Sequence, residues 1–404
     1  MKVCLISDFH NPFDARIFYK QAFSLKRNGY DVYYLFYHKD KEFIYRDQKI
    51  IFDSDSFKDV DGIKLKRLQV NRSLLKIPIM GYFLFGFLLK RKFVESALLV
   101  DADIYHCHDH KIALSAFLAV IKKFKKLTKP KKYIFDVHEY YPGQIKDQYG
   151  KKIKYYIFKF WMHRMDKKAV RVIDQFITVN EASRIYYLNL NRNIKIDRIT
   201  NVASKQIFGF DKQAIVKNKD FVLCHEGNLN FNRGLKDLVE ILRRFKKDNL
   251  NIRLKVIGVI PEKEQYWLQQ KIKEFGLQNS FIIKGWVSYN HVGQEIQECH
   301  VGLVTMKPLY NNIFSISNKF FNYLLYGLPV VAVKTPEMER VIDENECGLV
   351  YGFNDVDQLY HNILKLYKDK ELYSKLSANA FSCTERYFNW EKMENKLVRI
   401  YEML

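Results

Sequence analysis

Four short segments place polar or titratable residues just past a β-branched run, where a strand end would present them to a ligand. Asp8-Phe9-His10-Asn11-Pro12-Phe13-Asp14-Ala15-Arg16 follows Lys2–Ile6. It contains no glycine, so it lacks the G-x-G-x-x-G turn, and a nicotinamide or flavin cofactor is not expected. Asp14 suits a helix N-cap, its carboxylate accepting a backbone N–H. Arg16 opposes the helix dipole there, which favours a role facing an anionic ligand. His108-Asp109-His110 follows Ile104–Cys107, but neighbouring residues splay apart and no further metal ligand stands near in the sequence. A hydrogen-bonding role is therefore expected of it. Val137-His138-Glu139-Tyr140-Tyr141-Pro142 follows Tyr133–Asp136. His138 there either exchanges a hydrogen bond with a substrate hydroxyl or is a satisfied core or capping histidine. Gly227-Asn228-Leu229-Asn230-Phe231-Asn232-Arg233-Gly234 joins Phe221–His225 to a helix at Leu235–Arg244. The backbone N–H groups of that helix start, with Arg233, suit a diphosphate; the alternative is an ordinary turn with a solvent arginine. A fifth segment is the helix opening at Asn318-Lys319 and ending at Gly327, with Pro329 and the run Val330–Val333 beyond it.

The elements that position these groups alternate between strand and helix. Strands are expected at Lys2–Ile6, Val32–Phe36, Ile63–Leu68, Ile104–Cys107, Tyr133–Asp136 and Phe176–Val179, with a helix at Phe18–Asn28 stopped by Gly29. The pattern stops in the polar stretch Asn201–Lys219. It restarts with strands at Phe221–His225, Leu254–Ile257, Phe281–Lys284, Val301–Val304 and Val330–Val333. The alternation implies an α/β fold of two doubly wound parallel-sheet, Rossmann-like domains, with a central cleft between the carboxyl ends of their strands. The length of 404 residues accommodates two such domains.

Composition excludes other classes. With 48% hydrophobic residues the chain fills sizeable cores. It contains no run of 18 uncharged apolar residues, so no transmembrane helix is expected, and the apolar start is too short for a signal peptide. Six scattered cysteines without a CxxC imply a reduced, cytoplasmic protein. The charge is uneven: residues 1–205 carry 40 Lys+Arg against 21 Asp+Glu, a net +19, whereas residues 206–404 carry 27 against 24, a net +3. The first half is therefore expected to face an anionic partner; the alternative is a solvated lysine surface of a basic proteome. Two segments favour a membrane surface: the apolar run Ile77–Leu89 followed by Lys90, Arg91 and Lys92, and the aromatic-cationic stretch Lys151–Arg171. Packing of both into the domain core is the alternative. Nucleic acid is not expected, because no recognition motif is present.

In this order the segments resemble the GT-B glycosyltransferases, and glycosyltransferase family 4 in particular. The resemblance rests on Asp14, Arg16, Ile17, Ser24, Leu25, Gly29, Tyr30 and Val32; on His106–Asp109; on Asp136–Pro142; on Gly227, Leu229, Arg233 and Gly234; and on Lys319, Phe321, Tyr323, Gly327, Leu328, Pro329 and Val330. It spans nearly the whole chain. It implies an acceptor-binding domain at residues 1–205, a nucleotide-sugar-binding domain at 206–384, and a C-terminal helix at 385–404 crossing back onto the first. It further implies donor contacts from Gly227, Asn228, Arg233, Gly234, Asn318, Lys319 and Asn322, an acceptor-side loop with Asp14 and Arg16, and catalytic roles for His138, Glu139 and Asp109. A retaining transfer without metal or other cofactor is implied, from a nucleotide diphosphate sugar. The expected acceptor is a lipid-linked saccharide of a cell-surface polysaccharide, at the inner face of the membrane. Two departures stand out. The family's glutamate pair, spaced E-x7-E, is Phe314 and Asn322 here, and its loop arginine is Asn228, with Lys319 as the substitute cation. The absent glutamates favour the alternative of a catalytically inactive subunit that scaffolds a polysaccharide assembly complex, whereas the intact His138, Arg233 and Lys319 favour the enzyme.

Overall fold

The structure is a computed structural model that describes residues 1–53, 55–77, 80–150 and 152–404. Of the segments singled out above, Pro78, Ile79 and Lys151 lie outside the described residues. The chain divides into one unit of Met1–Thr200 with Met393–Leu404, and a second of Asn201–Lys392.

In the first unit, strands β1 (Lys2–Asp8), β2 (Asp31–Tyr37), β5 (Lys58–Val60), β6 (Ile63–Arg67), β7 (Ile104–His108), β8 (Lys132–Val137), β9 (Gln175–Thr178) and β10 (Ile196–Arg198) form one sheet. Its order is β10-β9-β8-β7-β1-β2-β6-β5, while β3 (Glu42–Tyr45) and β4 (Gln48–Ile51) pair separately. The central strands are buried on both faces, as a parallel sheet covered by helices requires. One expectation is corrected at the edge: β5 runs antiparallel to β6. The turn Asp61-Gly62 has φ of 51° and 75°, the two-residue hairpin signature that a search for βαβ units passes over.

In the second unit, β11 (Phe221–Glu226), β12 (Ile252–Ile257), β13 (Phe281–Gly285), β14 (Val301–Val304), β15 (Val330–Val333) and β16 (Gly348–Tyr351) order as β13-β12-β11-β14-β15-β16, parallel throughout. Both sheets thus reverse direction of winding beside their first strand, between β1 and β7 and between β11 and β14. At such a switch point the loops leave in opposite directions and open a crevice at the carboxyl ends.

The helix expected at Phe18–Asn28 starts earlier and in another form. Asp14 caps a π-helix, Ala15–Ala22, which runs into an α-helix, Phe23–Arg27. The last helix, Trp390–Glu402, reaches the first unit's core, where the Tyr401 hydroxyl lies 2.7 Å from His106 Nδ1. No helix among the described residues is long and apolar enough to cross a membrane.

The two segments flagged for a membrane are each split by burial. In the helix Met80–Val100, Gly81, Phe85, Leu89, Phe93 and Ala97 recur every four residues and pack into the core. The other side exposes Met80, Tyr82, Phe83, Leu84 and Phe87. In the helix Ile153–Ala169, Met162, Asp166 and Ala169 are buried, whereas Ile153, Tyr156, Ile157, Phe158, Phe160 and Trp161 are exposed. Core packing and a free apolar face are both present, on opposite sides of the same helices.

Candidate active site

In the first unit, the loops leaving β1, β7 and β8 bring His10, Asp109 and His138 together at the switch point. Asp109 has φ of 63°, and the residue before His10, Phe9, has 61°. Strained non-glycine backbone of this kind persists only where the surroundings impose it. The strain aims the Asp109 carboxylate inward: Oδ1 accepts the backbone N–H of His138 at 2.9 Å, and Oδ2 lies 2.9 Å from His10 Nε2. His138 Nδ1 stands 3.4 Å from the same Oδ2, and its Nε2 stands 3.4 Å from Asp136 Oδ2. Both ring nitrogens of His138 therefore face carboxylates, while 11% of its side chain remains exposed.

Burial opposes charging of His10. The hydrogen bond and charge of Asp109, with Asp14 and Asp8 beyond, outweigh it and push His10 up to about 9. His10 is thus a cation at neutral pH, with 25% of its side chain exposed. Burial likewise disfavours an ionised Asp109, but the His138 and His10 partners hold it well below the usual carboxylate range. With both oxygens engaged, Asp109 positions the two histidines rather than touching substrate. His10 appeared in the sequence as one residue of a loop with no marked role. Its function became legible only when Asp109, 99 residues on, met it.

Arg16 does not face a ligand, and that expectation is corrected. It is 2% exposed, its Nε and Nη2 each donate to Asp136 at 2.9 Å, and its Nη1 donates to the Ile199 carbonyl. Gln21 donates to the same carboxylate at 2.6 Å. Arg16 and Gln21 are five residues apart, and a π-helix with i→i+5 bonds stacks that spacing on one face. Asp14 caps this helix with Oδ1 through the N–H groups of Arg16 and Ile17, while its Oδ2 lies 4.0 Å from His10 Nδ1. Glu139 is half-buried and accepts a hydrogen bond from the Gln144 side chain. His110 bridges Asp166 and Tyr187 inside the core and is structural.

Two trios of potential metal ligands emerge that the sequence did not suggest: His10, Asp109 and His138, and His106, His108 and Asp136. The second is filled by Arg16, whose fork occupies both Asp136 oxygens. Burial, opposed by Asp136 and helped by the His138 and Arg16 charges, pulls His108 down to about 4, so its ring is neutral against that ion pair.

In the second unit, the loop after β11 and the helix Asn318–Leu325 form a cationic recess. Gly227 and Gly258 approach so closely that a Cβ on Gly258 would lie 2.3 Å from the Gly227 carbonyl. Gly234, with φ of 84°, packs where a Cβ would meet Thr305 at 2.6 Å. These contacts turn the chain so that Arg233 and Lys319 converge above Gly227: a Cβ there would lie 3.4 Å from Arg233 Nη1 and 3.9 Å from Lys319 Nζ. Arg233 Nη1 also donates to the Asn228 carbonyl at 3.2 Å, and the Asn228 side chain is exposed. The N-terminus of the helix Leu235–Lys247 adjoins, with no side chain capping it.

Lys319 and Asn318 do not point the same way. Asn318 is exposed, whereas Lys319 is buried with Nζ 3.4 Å from His225 Nε2. Burial, helped by the Arg233 charge and opposed by Glu226, pulls Lys319 down to about 7. Asn322 donates its amide to both oxygens of Glu226 at 2.9 Å. A carboxylate thus stands beside Asn322 after all, carried by β11. The sequence concealed it because Glu226 is 96 residues away from its partner. Phe314 is partly exposed, 38% of its surface remaining open.

Two doubly wound parallel units, one with a histidine-carboxylate cluster at its switch point and one with a cationic glycine loop at the same place, define the GT-B class of transferases. Residues 15–202 match the family model described as Glycosyltransferase Family 4, and residues 208–382 match that described as Glycosyl transferases group 1. The chain belongs to these GT-B glycosyltransferases, which use a nucleotide sugar. No curated protein matches it. Among solved structures, it is similar to the sucrose-phosphate synthase of Thermosynechococcus elongatus, with a TM-score of 0.71 at 15% identity over 100% of this chain and 98% of that one. It is also similar to Anabaena HepE in complex with UDP, with 0.68 at 14% over 100% of both chains. A glycosyltransferase from Rickettsia africae gives 0.69 at 15%, over 100% of this chain and 98% of that one. At these identities the likeness is one of fold.

Proposed function

We propose that this glycosyltransferase moves a sugar, with retention, from a nucleotide diphosphate sugar to a lipid-linked saccharide at the inner membrane face, in building a cell-surface polysaccharide. The observation that carries the donor half is the convergence of Arg233 and Lys319 on Gly227 at a helix start. Those groups neutralise the leaving diphosphate without reorganising during the reaction. The Glu226 carboxylate, held by Asn322, lies beside them as an acceptor for nucleoside or sugar hydroxyls. On the first unit, His138 with its partner His10 meets the reacting sugar or acceptor, and Asp109 positions both. The exposed apolar faces of Met80–Val100 and Ile153–Ala169, on this basic unit, support a peripheral membrane location. Fully withdrawing one large apolar side chain from water stabilises by roughly 1.5–3 kcal/mol, and salt does not screen that contribution.

Arg233→Ala tests the donor site. Loss of a charge-assisted contact to the diphosphate is expected to weaken UDP or GDP binding, read by calorimetry, by roughly ten- to a hundredfold. An unchanged dissociation constant places the diphosphate elsewhere. A second expected result concerns pH. Lys319 is charged below about 7 in the empty site, so above that value the diphosphate must bring a proton with it. Nucleotide affinity is therefore expected to fall above pH 7, by up to about tenfold per pH unit. In Lys319→Met this slope disappears; a slope that persists assigns the titration to another group.

The reaction needs no metal in this reading, because Arg233 and Lys319 supply the charge that a divalent cation otherwise provides. Turnover is expected to survive excess EDTA. Loss on chelation, restored by Mn²⁺ or Mg²⁺, removes this part of the reading and returns attention to His10, Asp109 and His138. A second reading, an inactive scaffolding subunit, is favoured by the absence of both glutamates of the family's pair, where Phe314 and Asn322 stand instead. Nucleotide binding without turnover of any sugar nucleotide distinguishes it.

A further inference from the structure

A groove of about 460 Å³ lies on the first unit between the helices Lys111–Lys126 and Ile153–Ala169, away from the loops described above. Its floor is Leu118, Ile121 and Val172, and its rim is Lys122, Lys125, Lys126, Lys168 and Arg171. All five rim cations are exposed, and none forms an ion pair with a carboxylate among the described residues. The basic cluster first flagged for a membrane is different: Arg91 pairs with Glu95, and Lys92 lies 3.8 Å from Asp55. The groove thus gathers five exposed cations that no carboxylate among the described residues neutralises.

Helical spacing ties the groove to the exposed apolar face. Ile157, Trp161, Arg164 and Lys168 stand at i, i+4, i+7 and i+11, which is one stripe along the helix. Ile157 and Trp161 are exposed at one end, and Lys168 enters the groove rim at the other. Insertion of the aromatic end into a bilayer interface would bring the cationic end to headgroup level.

We propose that this groove binds the phosphate-bearing headgroup of an anionic phospholipid, its cations around the phosphate and its apolar floor against the first methylenes of the chains. The inference rests on the membrane reading above. The apolar floor decides for a lipid over nucleic acid, whose phosphates need cations but no hydrocarbon contact. A groove of this size is in the range of small-ligand sites. Bound lipid orients the unit on the surface, as well as attracting it there.

The test compares three proteins in co-sedimentation with vesicles of phosphatidylcholine alone and of phosphatidylcholine with phosphatidylglycerol. They are the wild type, the triple variant Lys122→Gln/Lys125→Gln/Lys126→Gln, and a control triple, Lys39→Gln/Lys41→Gln/Lys195→Gln, which removes equal charge from exposed sites outside the groove. The groove triple is expected to lose about a hundredfold in affinity for anionic vesicles, and the control less than about fivefold. Equal losses overturn the groove while leaving the membrane reading intact; no wild-type binding to either vesicle overturns the membrane reading itself. A second measurement isolates the site. Short-chain phosphatidylglycerol, below its micelle concentration, is expected to bind the wild type and displace it from vesicles, while glycerol phosphate does neither. Displacement by glycerol phosphate, or retention of a single-stranded oligonucleotide as strong as that of the lipid, overturns the assignment.

Discussion

His138→Ala is expected to lower kcat by about a hundredfold or more, while UDP or GDP affinity changes by no more than about twofold. The imidazole sits on the first unit, at the carboxyl ends of β7 and β8, with each nitrogen set against a carboxylate. A side chain so oriented contributes in the transition state rather than to the hold on the nucleotide, which is the split that kcat against binding reads out. The substitution also removes a polar link between Asp109 and Asp136, so folding must be checked beside activity. His138→Gln retains hydrogen-bonding atoms and is expected to keep the fold while recovering little turnover. His10→Gln is expected to reduce kcat less, and to remove an alkaline limb from the rate profile near pH 9, where His10 discharges. Turnover of His138→Ala within a factor of about three of wild type assigns this histidine a structural role.

Arg16→Met is expected to be the most destabilising single change, at about 3–5 kcal/mol. The substitution leaves Asp136, which is fully buried, without its guanidinium. For a unit of this size that loss corresponds to a fall in melting temperature of roughly 6–20 °C. The sign with pH follows from the carboxyl. In the wild type, burial disfavours ionised Asp136, but Arg16 outweighs it and holds the group well below its usual value. The pair therefore contributes stability above the unfolded carboxyl's pKa of about 3.9, and this is lost as pH falls through the folded value. In the variant the unpaired carboxyl is raised instead, so its deficit is largest at neutral pH and shrinks in acid. A deficit independent of pH, measured by denaturant titration, would assign the loss to packing alone.

The sequence by itself determined the two-unit α/β architecture, because parallel strands buried on both faces must be near-continuous apolar runs, and short runs such as Lys2–Ile6, Phe221–His225 and Val330–Val333 are strands. It also located the loops that carry the candidate site, since those follow each run directly. The residues of the second unit's recess were legible for the same reason: Gly227, Arg233 and Gly234 lie within the one loop that joins β11 to the helix Leu235–Lys247, and local backbone geometry settles their neighbourhood.

What only the tertiary structure decided is which distant residues meet. β1, β7 and β8 lie side by side although long segments separate them, so His10, Asp109 and His138 converge through sheet order and not through spacing. Arg16 reads from sequence as a cation at a helix start, and only the fold reveals Asp136, 120 residues on, as its partner. The apolar pattern over Ala15–Ala22 does not distinguish the π-helix that stacks Arg16 over Gln21 from an ordinary α-helix. Glu226 stands beside Asn322 for the same reason, a contact between a strand end and a helix face. Charge counting placed the excess of cations on the first half of the chain. It did not separate cations neutralised by a nearby carboxylate, such as Arg91, from those left open at the groove. Pairing depends on side chains meeting across elements, and composition carries no information about that.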